Sequence, residues 1–296
     1  MDFGWSGNVQ YGLAVRNPFF ADQSGSNGFE IDNGPNANTT FQGDLARACD
    51  VGAAPLPGPP EVVAVNSTVG CTRGIFSNIT ILGPRPSGSI GLSGNNQNAI
   101  HYRRRNAVQI HNSFLSGFRL GVRLDEGGTW ANLAFTGTLA AGSGPLGALK
   151  NNVLTIPAAT QTGATTATDG AFITSTSVTA SGTVPAFLSD ATTLRQYWLD
   201  NGNTFTVSAS SAIHTGLGID EAAIFWGTKG RPGNTTGAPL YPSNPNFALL
   251  AGGTLSTGAV FTGLPAFFTS GTFRGAFSTT DWTDQWAEFQ PDSKVY

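Results

Sequence analysis

The residues best placed to do chemistry fall in three short stretches: FEIDN (29–33), IHYRR (100–104) and VRLDE (122–126). Each alternates apolar and polar positions. Side chains two apart share one face of a strand, so Phe29, Ile100 and Val122 would point inward with Ile31, Tyr102 and Leu124. The positions between would point outward. They form one column of Glu30, His101 and Arg123 and another of Asp32, Arg103 and Asp125. Opposite charges on neighbouring strands attract, so the order Asp, Arg, Asp is a favourable one.

Four readings fit these columns. A glycosidase needs two carboxylates about 5–9.5 Å apart. Asp32 and Asp125, two strand spacings apart, would lie about 9–10 Å from each other. Arg103 between them would hold both ionised, which is poor for a general acid. A lyase would use the same Asp32, Asp125 and Arg103, with further oxygen ligands needed for Ca²⁺. The binding reading takes Glu30, His101, Arg104, Arg105 and Arg123 as a patch for an acidic glycan. The structural reading makes the columns a charge ladder and leaves only Arg104 and Arg105 for a ligand. Elsewhere, His214 in SSAIHTGLGIDE has Asp220 and Glu221 close in sequence, and reads as a solvated or hydrogen-bonded side chain. No phosphate loop or nucleophile elbow occurs.

The elements that must position these residues show a repeat. IHYRR and VRLDE begin at residues 100 and 122, 22 positions apart, about one coil of a stacked parallel structure. SNITILG (77–83) aligns with HNSFLSG (111–117), Asn78 on Asn112 and Gly83 on Gly117, and FTGTLAAG (135–142) follows less closely. Asn78 and Asn112 would form an internal ladder at a turn, satisfying backbone groups left free there. The reading is all-β: a right-handed parallel β-helix, one domain over 1–296. A Thr/Ala/Gly-rich insertion of loops and weak edge strands occupies 146–245. Within it, a helix is expected at about 190–201, with Asp190 as cap, Leu194, Tyr197 and Trp198 on one face and Gly202 at its end. TFRGAF (272–277) reads as a strand. A C-terminal amphipathic helix is expected over 279–290, with Trp282, Trp286 and Phe289 spaced i, i+4, i+7, as a possible cap on the core.

Several of these segments, NGFEIDN, FSNITILGP, PNFALLAGGTLSTGAVFTG and above all FRGAFSTTDWTDQWAEFQP, resemble a family of uncharacterised secreted proteins of the Bacteroidota type. The similarity covers most of 8–142 and 244–296. It implies a pectate-lyase-like β-helix and an extracellular or cell-surface setting, without implying an activity.

Composition narrows the function further. Among 296 residues only 11% are charged, against about 25% in ordinary domains. The net charge of −3 gives no reason to expect nucleic acid or an anionic membrane. No apolar run is long enough to span a bilayer. Twenty Phe, six Trp and five Tyr supply a core. The opening MDFGWSGNVQYG has no signal-peptide pattern and suggests a processed chain. Cys49 and Cys71 flank a Pro-rich loop and would form a disulfide worth about 3 kcal/mol, in keeping with secretion. Three scattered His residues do not suggest a metal site, and no cofactor is expected. The leading expectation is a structural or adhesive extracellular protein that self-associates, because a first strand would offer unpaired edge groups. The alternatives are a polysaccharide-active enzyme and a non-catalytic glycan-binding module.

Overall fold

The computed structural model describes residues 5, 7–16, 27–32, 72–83, 97–103, 106–125, 129, 133, 147–157, 172–175, 191–208, 213–224 and 244–290. Cys49, Cys71, Arg104, Arg105 and Asp190 lie outside them. The strands are β1 (Asn8–Val15), β2 (Phe29–Ile31), β3 (Ile75–Leu82), β4 (Asn98–Tyr102), β5 (Gln109–His111), β6 (Phe114–Ser116), β7 (Leu120–Asp125), β8 (Ala148–Lys150), β9 (Val153–Pro157), β10 (Phe172–Ser175) and β11 (Thr204–Ser208). Helix α1 (Ala191–Asp200) joins β10 to β11, and α2 (Glu221–Ile224) follows β11.

Among the described residues all pairings are parallel, in two sheets. One has seven strands, in the order β11-β9-β6-β3-β5-β8 with β1 paired to β3. The other has four, in the order β10-β7-β4-β2. The expected right-handed parallel β-helix is thereby corrected. A solenoid of equal coils does not form: the two sheets are unequal, and their strands run from three to eight residues. A helix also fills a strand-to-strand connection, so the parallel arrangement is closer to the α/β kind. The stretch 146–245, read as an insertion of loops and weak edge strands, supplies β8, β10 and β11 at the ends of the two strand orders and β9 within the large sheet. The register inferred within the small sheet does hold. Phe29 pairs with Ile100 and Ile31 with Tyr102, and these pair in turn with Val122 and Leu124. Ile31, Ile100, Tyr102, Val122 and Leu124 are buried in one core with Ile110, Leu115, Leu149, Leu154 and Trp198. Helix α1 lies where expected. It buries Leu194 and Trp198, and Gly202 follows it with φ +72°.

A bend organises the large sheet. Tyr11, Asn78, Asn112, Asn151 and Gly202 all have left-handed φ, between 50° and 72°. The strand registers place them side by side across the sheet. Asn and Gly suit this backbone; Tyr11 is the unusual member. A left-handed residue bends its strand, and after Asn78, Asn112 and Asn151 the amide of the next residue turns to a side chain. Ile79 N donates to Ser113 Oγ at 3.1 Å, Ser113 N to Asn152 Oδ1 at 2.9 Å, and Asn152 N to Asn203 Oδ1 at 2.7 Å. The amide nitrogens of Asn152 and Asn203 donate to Ile110 O and Leu149 O at 2.9 and 2.7 Å. Ser113, Asn152 and Asn203 are buried, so each bond replaces a costly unsatisfied group. The expected ladder thus exists, but one residue beyond Asn78 and Asn112.

Asn78 and Asn112 are joined to each other through Ser77 Oγ, which accepts from Asn112 Nδ2 at 3.2 Å and donates to Asn78 Oδ1 at 2.9 Å, and both also hold the C-terminal segment. Asn78 Nδ2 donates to Phe273 O at 2.8 Å. Asn112 exchanges two bonds with Val260, Nδ2 to O at 3.0 Å and Oδ1 from N at 2.9 Å. Gln10 does the same with Thr269, at 2.7 and 2.9 Å. Each side-chain amide takes the place of a peptide in a neighbouring strand. The segment buries Phe247, Leu249, Leu255, Ala276 and Phe277 against Leu82, Phe114 and Val153 in a second core. It is largely irregular: 272–277 is not a strand, and the helix expected over 279–290 is a single turn at 282–286. Gln285, at φ +69°, ends that turn. The aromatic spacing is spent on a stack, with Phe247 on Phe277, Phe277 on Trp282 and Trp282 on Trp286 at 5.2–5.7 Å between ring centres.

Replacing Asn152 by Ala would leave Ser113 N and Ile110 O without their partner. Chemical denaturation should show a loss of roughly 3 kcal/mol, two unsatisfied buried groups at about 1–3 kcal/mol each. A loss under about 0.5 kcal/mol, the range of an ordinary surface change, would deny the ladder its role.

Candidate functional site

The small sheet aligns the charged residues as its register dictates, and they pair with one another. The Arg103 guanidinium donates Nε to Asp32 Oδ1 and Nη2 to Asp32 Oδ2 at 2.9 Å and Glu30 Oε1 at 2.6 Å. Asn27 Nδ2 donates to the other Glu30 oxygen at 2.9 Å. One strand on, Asp125 lies 2.8 Å from His101 Nε2 and accepts Arg123 Nε at 3.0 Å. The strand register places Arg103 between Asp32 and Asp125, as expected. Its guanidinium binds Asp32 and Glu30, while Asp125 takes His101 and Arg123 as its partners. His101 was expected to face outward, yet it is buried, as are Asp32 and Asp125.

Electrostatics follow from these contacts. Burial alone would raise the Asp125 carboxyl, but hydrogen bonds from His101 and Arg123 hold it below the usual range. Burial would likewise lower Arg103, and Asp32, Glu30 and Asp125 more than offset it. A carboxylate pinned in its ionised form cannot deliver a proton near neutral pH, so Asp125 is not a general acid. The arrangement can hold strands in register and covers Asp32, His101 and Asp125, while the side chains of Glu30 and Arg123 stay 41% and 32% exposed. Arg104 and Arg105, the remaining binding candidates, are outside the described residues.

A second cluster lies on the large sheet. His214 is buried, with Nε2 2.5 Å from Ser116 Oγ and Nδ1 2.7 Å from Glu221 Oε1. The Glu221 contact has the distance of an ion pair without the alignment of a hydrogen bond. Thr155 Oγ1 donates to Ser116 Oγ at 2.8 Å, and the His214 ring stands edge-on to Phe114. Asp220 Oδ1 accepts the amides of Ala222 and Ala223 at 3.1 and 3.3 Å and so caps α2. His214 and Glu221 line an open cleft of about 520 Å³ between residues 214–222 and 250–253. The order Ser, His, Glu is that of a nucleophile relay. Ser116, however, is 1% exposed and does not line the cleft, so the relay has no reachable nucleophile.

His214, read from sequence as solvated or hydrogen-bonded, is buried and hydrogen-bonded, and the cluster around it was not foreseen. Glu221, seven positions downstream, was visible as a neighbour. Ser116 lies 98 positions away and gave no signal. Among the described residues no group of three His, Cys, Asp or Glu could hold a metal ion, and no helix is long and apolar enough to cross a membrane. No protein-family model, curated protein or solved structure matches this chain.

Two measurements check the electrostatic assignments. Asp125→Ala strips His101 and Arg123 of their buried partner and should cost roughly 3 kcal/mol. A neutral result would make the pairing incidental. His111 is buried beside Lys150, and burial first, then that ammonium, lower it from 6.5 to about 4. The unfolded chain therefore binds this proton at a higher pH than the folded one. Its contribution is complete above pH 6.5 and is lost as pH falls toward 4. The loss should reach about 3 kcal/mol and be absent in His111→Gln. Urea unfolding at pH 7.5 and pH 4.5 reads it, and identical pH dependence in the two proteins would refute it.

Proposed function

We propose that this is a structural or adhesive extracellular protein that works by associating with copies of itself. The observation that carries this is where the exposed apolar side chains lie. Of the five large exposed apolar residues among those described, Leu250, Val260, Phe267 and Trp286 all belong to the C-terminal segment. Val260 and Phe267 sit on one excursion, fixed to the large sheet at Val260 by Asn112 and at Thr269 by Gln10. An apolar excursion held at both ends keeps its shape, so covering it costs little ordering entropy. Exposed apolar surface of this kind marks interaction sites.

Low overall charge supports the same reading, since few like charges oppose the approach of a second copy. Among the described residues, β1, β8 and β11 lie at the limits of the large sheet, and edge strands offer backbone groups for further pairing. A head-to-tail contact that does not close would give filaments or a layer. The extracellular setting rests on composition and on the sequence resemblance. A polysaccharide-active enzyme using Asp32, Asp125 and Arg103 has less support, because those three side chains are committed to ion pairs.

Sedimentation and electron microscopy should show concentration-dependent assembly of the purified chain. Val260→Asp with Phe267→Asp should lower the association constant at least about tenfold, since even one desolvated charge costs more than 1.4 kcal/mol. A strictly monomeric protein at high concentration would defeat the proposal.

A further inference from the structure

The cleft beside His214 is built rather than incidental. Gly218 and Gly253 bring two loops into backbone contact: a side chain at Gly253 would run into the Gly218 backbone. Leu250 N donates to Gly218 O at 2.8 Å, and Thr254 N and Leu255 N donate to Gly216 O and Leu217 O at 3.0 and 3.2 Å. The loops are thus stitched on both sides of that contact. At Gly216 and Gly252, φ is +76° and +80°, and a side chain there would meet nothing within 4 Å, so both face open space. The volume, about 520 Å³, falls in the range of small-ligand sites, about 300–1,000 Å³.

The lining indicates what fits. Among the described residues, its ionisable side chains are Asp220, Glu221 and His214, with no Lys or Arg, and this lining disfavours an anion. A simple cation is also a poor match. Asp220 faces the amides of α2, and Glu221 faces His214. Each carboxylate is thus partly compensated, and what it offers is a fixed acceptor more than an uncompensated charge. His214 is itself fixed by Ser116, which Thr155 holds in turn. Ile219, Ala222 and the half-exposed Leu250 add apolar surface to the same lining. Acceptor oxygens beside aliphatic side chains suit a ligand with hydroxyls on its edge and C–H bonds on its face.

We infer that this cleft binds a neutral saccharide, with Glu221 as principal hydroxyl acceptor and Leu250 and Ile219 against the sugar's C–H face. The inference does not depend on self-association, which rests on Val260 and Phe267. Glu221 and its His214–Ser116 support act here as binding and positioning groups, with no covalent step.

Isothermal titration and saturation-transfer NMR with neutral glucose, galactose, mannose and N-acetylglucosamine tetramers test this, with propylamine and succinate as controls. At least one tetramer should bind at millimolar affinity or better, and neither control should. Glu221→Gln should weaken that binding about tenfold, the scale of one hydrogen bond to a charged group. Ala251→Phe, placed on the exposed rim to fill the cleft without disturbing the core, should abolish it while circular dichroism and Tm stay unchanged. Three results would each overturn the inference: no tetramer binding, binding unaffected by both variants, or propylamine binding in place of the sugars.

Discussion

Everything the large sheet does depends on how it satisfies the backbone at its bend. Five left-handed positions lie side by side across the sheet, and at four of them the next amide leaves the strand ladder. Three of those amides, on Ile79, Ser113 and Asn152, find the side-chain oxygens of Ser113, Asn152 and Asn203. Without these acceptors, buried N–H groups would go unpaired on successive strands. With them, the strands can turn while the core side chains of β3, β6 and β9 stay in register. The ladder is local in chemistry and long-range in effect, because each rung joins strands tens of residues apart.

The same bend also sets the outer surface. Because Asn78 and Asn112 are left-handed, their side chains leave the core and meet the C-terminal segment, where they bind Phe273 and Val260. One column of residues therefore serves two layers: the residue after the bend closes the inside, and the bend residue docks the outside. That docking fixes the exposed excursion around Val260 and Phe267. Elsewhere in the same segment, backbone bonds from Leu250 and Thr254 join it to 213–220 and shape the cleft at His214. The small sheet follows another logic. Its outer charges neutralise one another, and this removes from consideration the residues that looked most catalytic.

Part of this was legible in the sequence. Period-two alternation in FEIDN, IHYRR and VRLDE is a direct consequence of strand geometry, so the register of the small sheet could be read. Helix α1 was legible from the helical i, i+4 spacing of Leu194 and Trp198 and from Gly202 at its end. The large sheet was legible only in part. Asn78 and Asn112 stood out, but the pattern that marks the bend is a pair: Asn or Gly, then a ladder residue, then a strand. It occurs as NSFLS at 112, NNVLT at 151 and GNTFT at 202. Reading that pair would have placed β9 and β11 in the sheet instead of in an insertion. The C-terminal segment misled because i, i+4, i+7 aromatic spacing serves a helix and a stack equally well. The backbone turns left-handed at Gln285 after one turn, and the aromatic rings stack. Ser116 beside His214 had no local signature, since the contact is made by folding alone.

Amide hydrogen exchange tests the central claim most directly. Ser113 N, Asn152 N and Thr204 N lie at the ladder and are bonded to Asn152 Oδ1, Asn203 Oδ1 and Asn152 O. If the buried ladder holds the bend, these amides should exchange only through global unfolding, as slowly as the amides of the core strand residues Leu115 and Leu154. Exchange of the ladder amides as fast as that of the exposed excursion around Phe267, while Leu115 and Leu154 stay protected, would contradict it.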